Sequence, residues 1–179
     1  MKSEKQVNTT LRFLTSIGNA NILWHHILAL EEDIINKGED REQDITYTPH
    51  FAAWIRMLSE YISNSLFDSY YQMNLTEDIY NYSFDKILFS IELEHINNPA
   101  YLIKSGSKLQ DVIALVKAFV DLRHCFQHGG LPNIGRSLKY TTPETINEIL
   151  NPQNFHSTRE MFLKALSFTL SLPKQSVGV

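Results

Sequence analysis

Apolar residues recur along this chain in steps of three and four, and glycines, prolines and polar clusters interrupt them. Between about Thr9 and Asn36 the apolar positions are Leu11, Leu14, Ile17, Ile22, Leu23, Ile27, Leu30 and Ile34, the spacing of a helix with one buried face. Gly38 ends it, and the polar, mostly acidic stretch GEDREQDITY reads as an exposed loop. Thr48-Pro49 opens a second helix, Thr as N-cap and Pro at the first helical position, running to about Met73. Thr76, followed by Glu77 and Asp78, caps a third that extends to about Asn97 and stops before Pro99. Ser107-x-x-Gln110 forms a capping box for a fourth, about 108–128. Thr142-Pro143 opens a short helix, and Ser157-x-x-Glu160 predicts the start of the last, about 158–171, ahead of Pro173. Strand pairs, hairpin turns, repeats and low-complexity tracts are absent from the pattern. An all-α bundle of about five to six helices follows, with long connections only at 37–48 and 129–142.

Composition fits one such bundle. The 179 residues, 43% hydrophobic, suffice for a single core, so residues 1–179 are expected to form one domain. No apolar run reaches the roughly 18 residues that cross a bilayer, and the start MKSEKQVNTT lacks the apolar centre of a secretory signal. A cytoplasmic protein without a membrane partner is expected. The single cysteine, Cys125, can form neither an internal disulfide nor a multi-thiolate zinc site, and reads as a small buried hydrophobe.

The net charge of −4 argues against nonspecific coating of nucleic acid, which needs a strongly basic surface. The charge is unevenly spread, however. Residues 1–89 carry 7 Lys/Arg against 13 Asp/Glu, whereas residues 99–140 carry 6 against 2. Either an anion site or a solvated mixed surface fits that basic stretch.

Within it lies RHCFQHGG, Arg123 to Gly130. The fourth helix turns Leu109, Val112, Ile113, Val116, Phe119 and Val120 toward the core, and a heptad step from Val116 reaches Arg123, which therefore faces inward or onto a helix interface. A guanidinium there needs a carboxylate, backbone carbonyls or a phosphate. His124 and His128 share a neighbouring face. His128 occupies the last turn before the glycine stop, where the macrodipole favours a cation and substrate can approach; His124, one turn earlier, is expected to be hemmed in by packing.

These residues resemble the Arg-x(4–6)-His motif of the HEPN superfamily, all-α domains that carry the motif at the end of a late bundle helix, often before a glycine-containing turn. Many HEPN proteins are metal-independent endoribonucleases, frequently toxins, antiviral effectors or parts of RNA-processing systems, and many act as dimers whose paired motifs form one cleft. The resemblance implies an RNA substrate, a homodimer, no metal or other cofactor, and room for an antitoxin or effector partner. It makes Arg123 and His128 the catalytic pair, with His124 assisting where active members commonly have Asn. Family members also often hold the arginine with a carboxylate from an earlier helix. Glu60, on a helix whose Ile55, Leu58, Ile62 and Leu66 mark a buried stripe, is the candidate; a solvated pairing with Arg56, four residues before it, is the alternative. A non-catalytic HEPN-like module that binds nucleotide or RNA, or dimerises, stays open as a second function.

The chemistry so implied suits these side chains. Cleavage without metal uses the ribose 2′-hydroxyl as nucleophile and leaves a 2′,3′-cyclic phosphate and a 5′-hydroxyl. Histidine suits the proton transfers, because the ordinary imidazole titrates near neutral pH, and arginine's fork suits two phosphate oxygens. Residues five apart stand about 140° from each other on an ideal helix, so a site completed across a dimer is one solution. His124 and His128 also match a zinc-binding pair, but no HExxH pattern accompanies them, and a third ligand would have to be a residue such as His25, His26 or Glu60. His25-His26 is expected to straddle the edge of the first helix's apolar face, with core or interface packing rather than catalysis. Tyr70, Tyr71, Tyr80, Tyr82 and Phe84 suit either base stacking or the edges of the bundle.

Overall fold

The structure, a computed structural model, describes residues 20–36, 48–73, 84–96, 109–128 and 138–171. It is an all-α bundle. Among the described residues six helices follow one another: α1 (20–36), α2 (Thr48–Met73), α3 (Phe84–Ile96), α4 (Leu109–His128), α5 (Pro143–Leu150) and α6 (Phe155–Ser171), with a short 3-10 turn, Pro152–Asn154, between the last two. No strand occurs among the described residues. The Thr76 cap, the polar stretch after Gly38 and the Gly129-Gly130 stop lie outside the described residues.

Three helices make the centre, since α2, α4 and α6 pack most extensively on one another. The fit follows from their stripes. On α2, Phe51, Trp54, Ile55, Leu58, Ile62 and Leu66 are buried at three- and four-residue steps; on α4, Val112, Val116, Phe119 and Val120; on α6, Phe162, Ala165 and Leu166. Phe162 stands edge-on to Phe119, with ring centroids 6.1 Å apart, and lies against Trp24 of α1 at 6.2 Å. Trp54 packs on Phe155 at 4.8 Å. Truncating a buried aromatic of this kind costs about 3–5 kcal/mol.

A buried carboxylate fastens α1 to this centre. Glu31 lies four residues after Ile27 and three before Ile34, both buried, and so falls on the same stripe. Its Oε1 accepts from Trp54 Nε1 at 3.3 Å and its Oε2 from Arg159 Nε at 3.0 Å. A carboxylate in that position requires partners, and α2 and α6 each provide one. Where α2 passes α6, Ser69 Oγ donates to the Thr169 carbonyl at 2.6 Å.

Three sequence expectations are corrected. Ile22 is 59% exposed, because the five-residue step to Ile27 carries it about 140° off the buried stripe, and Leu23 and Trp24 pack there instead. His25 and His26 are both exposed rather than packed in the core of the chain, His25 being about 200° round from Ile27. The last helix starts at Phe155, not near 158. Asn151 caps the preceding turn, its Oδ1 accepting from Gln153 N at 3.1 Å, and buried Phe155 anchors the entry. Ser157 and Glu160 are exposed within a helix already under way.

Candidate functional site

The C-terminal half of α4 is framed by α2 on one side and by α3 with the segment before α5 on the other. Arg123, partly buried, donates from Nε to Glu60 Oε2 at 3.0 Å, the two side chains being 23% and 37% exposed. Its guanidinium carbon lies 5.4 Å from the centroid of the Phe84 ring, within the range of a cation–π contact. Glu60 is thus turned onto Arg123 of α4, and Phe84 at the start of α3 provides a flat apolar wall. Of the aromatic set read from the sequence, Phe84 alone has a described side chain.

His124 and His128 are both exposed, with ring centroids 4.5 Å apart and planes inclined at 53°. His124 is therefore not hemmed in. Four residues bring the two rings over one another on the outer face of the helix, while Arg123 is turned toward α2 and α3. The structure brings Arg123 together with Glu60, and His124 together with His128. Among the described residues no hydrogen bond or ring contact joins the guanidinium to either imidazole. Nor do three or more His, Cys, Asp or Glu side chains converge there as metal ligands.

Asp121, two residues before Arg123, was counted in the sequence only as a charge. It is 1% exposed and accepts three backbone N–H groups: Lys139 at 3.1 Å to each oxygen, and Tyr140 and Thr141 at 2.7 and 2.9 Å to Oδ2. Its signal was its register, three residues after Ala118 and four before Cys125, both buried. The segment so held reaches over to α3. Tyr140 donates its hydroxyl to Asp85 Oδ1 at 2.6 Å, and Lys139 Nζ pairs with Asp85 Oδ2. Contacts with Lys139 and then Tyr140 hold the Asp85 carboxyl below its usual range, while burial and then Asp85 push the Tyr140 phenol well up. Asp85 and Phe84 are adjacent, so the tie that fixes 139–141 also fixes the wall behind Arg123. Lys117 adds a pairing from α4 to Glu92 of α3. The Cys125 thiol, buried beside this ring of contacts, is pushed up by burial and then by Asp121; that is the opposite of an activated nucleophile.

Chemically, the arrangement offers a tethered cation near the surface and, one face away, two accessible proton-transfer groups. No helix among the described residues is long and apolar enough to cross a membrane. Comparison with known protein families, with characterised proteins and with solved structures finds no match for the chain.

Proposed function

We propose that this chain is a metal-independent endoribonuclease of HEPN type. The observation that carries the proposal is that Arg123, held through Nε by Glu60, shares the last turns of α4 with an exposed pair of imidazoles. A carboxylate that occupies Nε leaves the Nη groups for phosphate oxygens, and the fork arrives already oriented. His128, on the outer face, takes the proton from the ribose 2′-hydroxyl or gives one to the departing 5′ oxygen, and His124 assists. Attack of the 2′ oxygen on phosphorus breaks the bond to the 5′ oxygen and yields a 2′,3′-cyclic phosphate and a 5′-hydroxyl.

Because Arg123 and His128 of one chain face different ways, the active unit is a twofold dimer in which the arginine of one copy meets the imidazole of the other. Such an enzyme acts on cytoplasmic RNA as a toxin or defence effector, restrained by an antitoxin or effector partner. A second function is favoured by the same Glu60 contact: a non-catalytic module that binds RNA or nucleotide, or dimerises, with Arg123 as an interhelical ion-pair member. Analysis of RNA ends separates the two. Ribonuclease action predicts fragments with 2′,3′-cyclic phosphate and 5′-hydroxyl termini, whereas 5′-phosphate ends or intact RNA contradict it.

A further inference from the structure

We infer that His124 and His128 form a two-imidazole site for a divalent transition-metal ion, and that its occupation shuts off cleavage. The inhibition rests on the ribonuclease function proposed above; the binding does not.

Both rings are exposed, and no hydrogen bond or ion pair ties either to another described residue. Their separation suits chelation. An imidazole nitrogen sits about 2.0–2.1 Å from a bound metal and the ring centre roughly 1.1 Å behind it, so two cis ligands place their ring centres about 4.5–5.2 Å apart. The observed distance is 4.5 Å. The i, i+4 spacing on one helix face holds the rings near that distance before any ion arrives, so little ordering remains to oppose binding.

The donor set selects the class of ion. Neutral imidazoles prefer nickel, copper and zinc over magnesium or calcium, which take oxygen ligands. With two protein ligands the remaining coordination positions fall to water, and binding is reversible. Coordination uses the ring lone pairs, so a loaded site can neither accept nor deliver a proton there. The ion thus removes the acid–base group of His128 and occupies the assisting His124, while Arg123 and its tie to Glu60 stay in place.

Tag-free protein titrated calorimetrically with Ni²⁺ alone tests the binding. One ion per chain is expected, with affinity at least about tenfold weaker in His124→Ala and in His128→Ala, since even the loss of an outer-shell partner costs 10–100-fold. In His25→Ala, on α1, it stays unchanged. Equal affinity in His124→Ala and the parent overturns the site. Adding Ni²⁺ to the parent enzyme in an RNA cleavage assay should reduce the rate at least about tenfold at saturation, reversed by chelator; undiminished cleavage by loaded protein overturns the inhibition. Protein that binds Ni²⁺ through this pair and cleaves no RNA when metal-free upholds the site and removes the ribonuclease proposal instead.

Discussion

Arg123 and Glu60 meet through one hydrogen bond at 3.0 Å with both side chains partly in water. That geometry bounds what the pair does for stability, because ion pairs open to solvent contribute about 1 kcal/mol or less. Arg123→Ala is therefore expected to lower unfolding free energy by only about 1 kcal/mol in urea titration while removing RNA cleavage, and Arg123→Lys to restore the charge without the fork. A loss of several kcal/mol would assign the arginine a structural role first. The two histidines separate by substitution. His128→Ala should slow cleavage by roughly 10²–10⁴ with folding unchanged, and His124→Asn, which installs the residue common in active HEPN motifs, should preserve activity. Rates for both variants at matched concentration check this. Cys125, buried with its thiol pushed up, should react with thiol reagents in folded protein far more slowly than after denaturation.

Between elements, the chief fastening of the site is the carboxylate of Asp121. Asp121→Ala would leave three backbone N–H groups of 139–141 without their acceptor, at a cost of roughly 2–4 kcal/mol, whereas Asp121→Asn keeps an acceptor and should cost less; chemical denaturation of both variants distinguishes them. The Asp85 tie carries a pH signature. Its carboxyl is held below the usual range, so its contribution is present above that range, about pH 4 and up, and fades as pH falls through the lowered value. Asp85→Asn should flatten the loss of stability on that acid side, seen as a smaller change in urea midpoint between neutral and acid solution.

The element scale also shows what the pattern of residues made legible. The start of α5 follows local punctuation, with Pro143 at its first position and Thr142 accepting from Thr145 N. Glu60 could be named as a candidate because the HEPN resemblance calls for a carboxylate on an earlier helix and this one flanks a buried stripe there, although the pattern alone left a solvated pairing with Arg56 equally open. The partners of Asp121, 18 to 20 residues on, and of Glu31, where Arg159 lies 128 residues away, are set by how helices close on one another, which three- and four-residue spacing does not encode. The 158 boundary failed for a related reason. A capping box is a local signal, and the packing of Phe155 on Trp54 carried the helix past it.

At the scale of the molecule, one hydrophobic cluster takes residues from all six helices, and the arginine and imidazoles sit at its edge, facing different ways. On the ribonuclease function proposed above, a proton donor and a phosphate clamp so divided would call for a second copy. Sedimentation at micromolar concentration should give a dimer, and cross-links introduced near the α4 ends should join the two chains; a monomer that still cleaves RNA would contradict the shared site. The most direct measurement is cleavage of mixed RNA by purified protein with chelator in excess, run beside His128→Ala prepared in the same way. Ribonuclease function predicts that the parent degrades RNA to 2′,3′-cyclic phosphate ends and that the variant is slower by roughly two orders of magnitude or more. Equal rates for the two proteins, or no cleavage by either, would contradict it.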